Sequence, residues 1–380
     1  MNTKIIVENM LRIIDYIETN GLAKAIEEFK LKTKVYEKKI LLKYDQIESD
    51  MSRAEVQECR GLILERDTWK VMSMPFSKFF NSGEINAAKI DWNSAIVLEK
   101  LDGTMIQVYY DWNKDKWFAA TTGMAEGEGE VNNKFGTTFN DLFWETINKY
   151  SFDVNKFHKG FTYVFELTTP YNIVVKPHGE SSITLLAIRD NEILKEFRYD
   201  ELLAVSQYFG LPVVKSYNLS QNSLDEITKT FEGMPWSEEG YVVVDKEFNR
   251  IKIKNPAYVA VHHLKSKTAE HNILTIVKSN EIEEFAATFP ERKEELYKLK
   301  NNYDVLISKL TNAWSELEYK KPKDDSASER KEFALSVFDI TKKHNLDLFT
   351  GLFFSLQNGR AKSINEYMLN YDDKKLYKIL

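Results

Sequence analysis

Apolar positions recur along this chain with two different periods. Between Met1 and Lys30, Ile6, Met10, Ile13 and Ile17 fall at helical spacing among Glu8, Asp15, Glu18, Glu27 and Glu28. That pattern predicts an amphipathic opening helix and excludes a signal peptide. Beyond it the period shortens. The runs Ile40–Tyr44, Gly61–Glu65 and Val71–Met74, a pair flanking residues 100–103, and Trp117–Ala120 predict strands. From Gly123 to Gly136 the chain turns to Gly, Glu and Asn, which predicts an acidic, mobile, solvated connector, with a substrate lid as the alternative. A helix through Phe139, Leu142, Phe143, Thr146 and Ile147 follows. Strands return at Phe161–Thr168, Ile183–Arg189, Gly240–Asp245 and Arg250–Lys254, with short helices at Asp200–Phe209, closed by Gly210, and at Ser223–Phe231.

After Lys265 the character changes. No strand pattern occurs between Glu281 and Leu380. Leu296, Leu299, Tyr303, Leu306, Leu310, Ala313 and Leu317 advance by threes and fours, an apolar stripe on one long helix. A polar break at Lys320–Ser328 carries a capping box, Ser326 with Glu329, before a helix through Phe333, Val337, Phe338 and Ile340; Leu348–Leu356 and Ile364–Leu369 predict two more. The expected architecture is a two-domain α+β chain: an antiparallel-sheet domain over residues 1–265 and an all-α C-terminal domain over residues 266–380.

Composition narrows the function classes. At 380 residues, 43% apolar, the chain can bury two cores. A net charge of -6 argues against a protein that coats nucleic acid nonspecifically. The acid is unevenly spread: 20 Lys and Arg face 19 Asp and Glu from Val261 onward, and 32 face 39 before it. Cys59 is the one cysteine, so no internal disulfide or cysteine zinc cluster can form, and a reducing cytoplasm fits. No apolar run is long enough to span a membrane.

The candidate chemistry centres on Glu99-Lys100-Leu101-Asp102-Gly103, set between two strand runs so that Lys100 sits on a turn, with Gly103 letting the backbone reverse. An attacking amine must be uncharged. A lysine at ~10.4 has to fall by two or three units, roughly 3–4 kcal/mol of differential stabilisation. A neighbouring carboxylate such as Asp102 opposes this unless a divalent cation reverses the local field. Other groups fit an anionic substrate: Arg60 before a strand, Lys78 among Phe76, Phe79 and Phe80, and Lys252 with Lys254 on one face of a strand. Glu166 and Glu239 are carboxylates bordering apolar strands, where a lone acid costs several kcal/mol unless paired or metal-bound. Each, alone, is equally read as a surface ion pair or a solvated sheet face.

Together, and in order, Lys100-Leu101-Asp102-Gly103, Phe165-Glu166, Glu239-Gly240-Tyr241 and Lys252-Ile253-Lys254 resemble the signature motifs of the covalent nucleotidyltransferase superfamily of DNA ligases, RNA ligases and capping enzymes. Glu58-Cys59-Arg60-Gly61, Lys78-Phe79-Phe80-Asn81, Thr169-Pro170-Tyr171-Asn172-Ile173-Val174 and Tyr258-Val259 with His262 are similar to the bacteriophage RNA ligase 1 family, the T-even phage tRNA-repair type, over about Tyr44 to Lys267. The resemblance implies an adenylyltransferase domain followed by a helical RNA-specificity module. It implies an ATP-dependent RNA ligase that forms a lysyl-AMP on Lys100, passes AMP to an RNA 5′-phosphate and seals it with a 3′-OH. Lys252 and Lys254 would share the catalytic work with Lys100. Arg60, Lys78, Glu99, Glu166, Glu239, Lys252, Lys254 and Tyr258 would surround ATP, and Asp102, Glu166 and Glu239 would organise Mg²⁺, with Mn²⁺ an admissible substitute. The implied partner is an RNA end, that of nicked or broken tRNA, met by a monomer in the cytoplasm, the host's if the gene is a phage's.

One departure stands out. Where the family often carries a basic residue before a glycine, Ala120-Thr121-Thr122-Gly123 offers Thr122, so a triphosphate contact is either missing, with weaker ATP affinity, or supplied by Lys114 or Lys116. His262 and His263 follow the last strand without an assigned role, packing being the plainer reading. Two rivals differ in kind. A DNA ligase or capping enzyme continues after the last lysine motif into a small barrel of strands, whereas this tail reads as helical. A catalytically dead relative that only binds RNA would take up no covalent label from ATP.

Overall fold

The computed structural model describes residues 10–132, 135–172, 175–218, 223–265, 272–288, 290–318 and 326–380. The chain divides into two compact units, residues 1–265 and 266–380.

The first unit opens with α1 (Arg12–Asn20) and α2 (Leu22–Phe29) where the sequence predicts one helix; residues 1–9 of that expectation lie outside the described residues. Gly21 sits at φ +87° between them, a conformation that ends a helix and costs a glycine little. The start of α1 is held by Glu58, whose carboxylate accepts from the backbone N–H groups of Arg12 and Ile13 at 3.2 and 2.9 Å.

Three sheets follow. In chain order the strands are β1 (Leu31–Val35), β2 (Lys39–Tyr44), β3 (Arg60–Glu65), β4 (Val71–Ser73), β5 (Phe80–Asn81), β6 (Ile96–Glu99), β7 (Thr104–Asp111), β8 (Lys116–Ala120), β9 (Phe161–Thr168), β10 (Ser182–Asp190), β11 (Ser216–Tyr217), β12 (Gly240–Val244) and β13 (Arg250–Lys254). They are ordered β1-β2-β3-β4, β10-β9-β7-β8 and β11-β6-β12-β13-β5. All pairings are antiparallel except the short contact of β13 with β5. The helices between them are α3 (Ala54–Glu58), α4 (Phe139–Asn148), α5 (Tyr199–Phe209), α6 (Leu224–Thr230) and α7 (Pro256–Lys265). Alternation along the strands builds the cores: Ile106, Phe165 and Leu185 meet Phe143 and Phe209, and Leu41 and Ile63 meet Tyr109 and Phe118 across the first two sheets.

The acidic connector differs from its expectation. Glu126 is ion-paired with Lys39 at 3.0 Å and Lys114 at 2.6 Å, and Glu128 with Lys34 at 2.5 Å, so these acids neutralise cations of the first two sheets.

The second unit is helical throughout its described residues: α8 (Asn272–Lys278), α9 (Ile282–Thr288), α10 (Lys293–Glu318), α11 (Ala327–Lys343), α12 (Thr350–Gln357), α13 (Ile364–Leu369) and α14 (Asp373–Tyr377). The stripe on α10 buries Leu296, Tyr303, Leu306, Leu310, Ala313 and Leu317. Ser326 caps α11 by accepting from the Glu329 N–H at 3.3 Å; most of the polar break before it, residues 319–325, lies outside the described residues. No described helix is long and apolar enough to cross a membrane.

Candidate active site

The four residues Lys100–Gly103 are where the chain leaves the third sheet, at the end of β6, and enters the second, at the start of β7. Both ends of that crossing are pinned. Glu99 N–H donates to Lys215 O and Lys100 N–H to Gly240 O, each at 2.9 Å. Gly103 serves the crossing through space, not through a reversal. A Cβ there would stand 2.6 Å from Leu167 O and 3.1 Å from Glu166 Cγ, so only glycine lets β7 lie this close to β9, and its φ is not in the left-handed region.

The crossing borders a cleft of about 170 Å³. Its walls are of two kinds: apolar Phe79, Met105, Leu186, Val214 and Val242 on one part, and Arg60, Glu99, Lys100, Glu166, Arg250, Lys252 and Lys254 on the other. Lys100 Nζ lies 2.7 Å from Glu239 Oε2, and Lys254 Nζ 3.5 Å from Glu239 Oε1, so one carboxylate 7% exposed bridges two expected cations. Gly240, at φ +124°, allows this: a Cβ there would lie 2.3 Å from Ile253 O and force β12 from β13.

Glu166 projects from β9 toward the same amine. Its carboxyl is pushed up to about 8, first by burial, with Glu239 and Asp102 adding to the rise and Lys100 and Arg60 opposing it. Burial lowers the Arg60 guanidinium, which lies 5.1 Å from the centre of the Phe79 ring.

Arg250 is a wall residue that no motif pointed to. The signal was present, since Arg250, Lys252 and Lys254 alternate along β13 onto one face. Arg250 packs over Phe76 at 4.6 Å and is held by Glu196, which also binds Arg189 at 3.2 Å.

Other expected residues stand elsewhere. Asp102, 6% exposed, accepts at Oδ2 from the N–H groups of Val175 and Lys176 at 3.0 and 2.6 Å, while its carbonyl meets His178 Nε2 at 2.8 Å. That carboxylate ties the segment after β9 to the crossing; residues 173–174 of the motif preceding it lie outside the described residues. Lys78 Nζ rests over the rings of Tyr44 and Phe80, at 5.3 and 5.6 Å, and is not among the residues lining the cleft. Tyr258, 1% exposed on α7, belongs to the core and stacks parallel to His262. The His263 side chain lies outside the described residues. Lys114 is ion-paired with Glu126 at 2.6 Å, and Lys116 lies over the Phe118 ring at 5.2 Å.

No three His, Cys, Asp or Glu side chains are gathered around one point among the described residues. With Asp102 engaged by backbone, Glu166 and Glu239 are the two of the three expected metal ligands that remain beside Lys100. This suits Mg²⁺, which takes one or two protein carboxylates and completes its shell with substrate phosphates and water.

A profile of the family described as RNA ligase matches residues 58–258, from the start of the first motif to Tyr258. The chain belongs to the RNA ligase family. Among its relatives, the RNA ligase of Rhodothermus phage RM378 is 27% identical over 349 residues, covering 75% of this chain and 79% of that protein. A protein of Autographa californica nuclear polyhedrosis virus, described as a bifunctional polynucleotide kinase/RNA ligase, is 28% identical over 311 residues; the match covers 75% of this chain but 42% of that protein. An archaeal ATP-dependent RNA ligase structure is similar over 90% of this chain and 81% of its own, with 13% identity and a TM-score of 0.46. The expected family, enzyme class and α+β fold all hold for this RNA ligase.

Proposed function

We propose that the protein is an ATP-dependent RNA ligase in which Lys100 carries AMP as a phosphoramidate between ATP and an RNA 5′-phosphate. The observation that supports this most is the position of Lys100 Nζ: in a cleft, 2.7 Å from a buried carboxylate and facing Arg60, Arg250, Lys252 and Lys254.

The residues divide the labour by chemistry. The apolar part of the cleft suits a base, and the cationic part a triphosphate. Glu239 Oε2, already ion-paired with the amine, is placed to take its proton as the nitrogen lone pair attacks the α-phosphorus and the bond to the β-phosphate breaks. Lys254 on the other oxygen of Glu239, with Lys252 and Arg250, then meets the negative charge that develops on the α-phosphoryl oxygens and on departing pyrophosphate. A divalent cation, Mg²⁺ or Mn²⁺, held through Glu166 and Glu239, supplies when bound the positive field that favours an uncharged amine. In the second step an RNA 5′-phosphate oxygen attacks the same phosphorus and the N–P bond breaks. In the third a 3′-OH attacks the RNA phosphorus and AMP leaves. The helical unit, residues 266–380, would select the RNA, with broken tRNA as the substrate class suggested by the resemblance.

The test is Lys100→Ala. The folded variant should take up no label from α-labelled ATP and lose ATP-driven sealing, yet retain measurable sealing of RNA supplied already adenylylated. Sealing of unadenylylated RNA by that variant with ATP would refute the covalent role.

A further inference from the structure

Glu196 lies outside every motif named above, and its buried carboxylate ends on a residue of the Lys100 cleft. Its backbone belongs to the second sheet. The chain turns back after β10 with Leu194 at φ +56°, and Glu196 pairs across to Arg189, fixed by Asp190 N–H to Lys195 O and Phe197 N–H to Ile188 O, each at 2.9 Å. Its side chain leaves that sheet and meets Arg250, the first residue of β13 in the third. Both carboxylate oxygens are used: Arg250 Nη1 donates to Oε2 at 3.0 Å and Nη2 to Oε1. Behind them Arg189 Nη2 donates to Oε2 at 3.2 Å, and its Nη1 to Leu194 O at 2.8 Å.

This grip fixes the plane of the Arg250 guanidinium. A paired fork holds two of its nitrogens, and the Phe76 ring, 4.6 Å away, covers one face. Phe76 packs on Val164 and Ala187, so ring and carboxylate are both borne by the second sheet while Arg250 grows from the third. An arginine has five N–H groups. Glu196 takes two, and the other three have no acceptor among the described residues, although the side chain is only 10% exposed. Buried donors without an acceptor are costly. Charge points the same way, since two guanidiniums share one carboxylate and these three groups leave a net positive charge in the cleft wall. A ligand that brings oxygen acceptors into the cleft answers both.

We propose that Glu196 is a positioning residue for nucleotide transfer: it aims the three free N–H groups of Arg250 at the bound nucleotide, and Arg189 holds Glu196 to that task. The role rests on the ligase reading given above. Orientation is what Glu196 supplies, so a positive charge at residue 250 that is not held in the fork does not suffice.

The experiment is a double-mutant cycle in the full chain, with Glu196→Gln made in the unaltered protein and in Arg250→Ala. Two quantities are read: kcat/KM for adenylylation of the protein by ATP, and the calorimetric Kd of α,β-methylene-ATP, an analogue that cannot yield the adenylate. Glu196→Gln should lower kcat/KM about tenfold and weaken the analogue, and should change neither any further when Arg250 is already alanine. Glu196→Asp, which keeps the charge, should recover most of the loss. Full kcat/KM in Glu196→Gln overturns the role. So does the same fold-loss in both backgrounds, which is the mark of a carboxylate that only holds the fold together. Should Glu196→Gln not fold, Arg250→Lys decides, because it keeps the charge without the fork: a tenfold loss supports the role and full kcat/KM overturns it. If the unaltered protein takes no label from ATP but Glu196→Gln still weakens the analogue only where Arg250 is present, the ligase reading fails and the positioning role stands; if label is taken and no such dependence on Arg250 appears, the reverse holds.

Discussion

At the scale of single residues, Glu166 and Glu239 show how two carboxylates beside one amine can be set to different tasks. Glu239 is bound by two lysines, whereas Glu166 is buried first and balanced second, which lifts its carboxyl from the ordinary 4.5 to about 8. A folded-state value above the unfolded one means that the folded protein holds the proton more tightly. The stability so contributed is complete below about pH 4.5 and is lost as the pH rises toward about 8. Glu166→Gln, permanently neutral, should therefore match the unaltered ligand-free protein near pH 4 and be more stable at pH 9, by roughly 4–5 kcal/mol, or about 10 °C in Tm. Thermal melts across this range check it; a variant equally or less stable at pH 9 would mean that Glu166 is not ionised at a cost. Residue types and spacing marked Lys100, Glu166, Glu239, Lys252 and Lys254 as candidates in the sequence, and the order of their motifs was needed to join them into one site. The partners of Asp102 were not legible: an acid that binds backbone N–H groups remote in sequence looks identical to one reserved for a ligand.

At the scale of elements, the strands were legible wherever alternation ran for five or more residues, and the two-residue strands β5 and β11 were not, since so short a run has no period. The break at Gly21 was visible as a glycine, but only its positive φ separates α1 from α2. The acidic connector was misjudged because charge was counted without its partners on β1, on β2 and before β8. The most consequential element is the crossing from β6 to β7, and Asp102 is its anchor. Asp102→Ala would leave the N–H groups of Val175 and Lys176 without their acceptor, at a cost of about 2–4 kcal/mol. Urea denaturation should show that loss, accompanied by slower adenylylation, since the crossing also carries Lys100. An unchanged denaturation midpoint would contradict the anchoring role.

At the scale of the whole molecule, two compact units correspond to two chemistries in the proposed reading, one for the adenylate and one for the RNA. The change at Lys265 was legible because strand periodicity stops there and a stripe of threes and fours takes over. The RNA itself was not, because the charge beyond Val261 is nearly balanced and recognition then depends on where side chains converge. Ending the chain after Lys265 should reduce sealing of a broken tRNA anticodon stem-loop at least tenfold more than sealing of an unstructured oligonucleotide. An equal fall on both substrates would leave the helical unit with a scaffold role only.

The ligase reading depends on one bond, between Lys100 Nζ and an adenylate phosphorus. Intact-mass and peptide mass spectrometry of the protein incubated with ATP and Mg²⁺, before and after pyrophosphate is added, reads that bond directly. The account predicts one AMP per chain, carried by the peptide containing Lys100 and removed by pyrophosphate. An unmodified mass under conditions where the protein seals RNA, or AMP on any other residue, would contradict it.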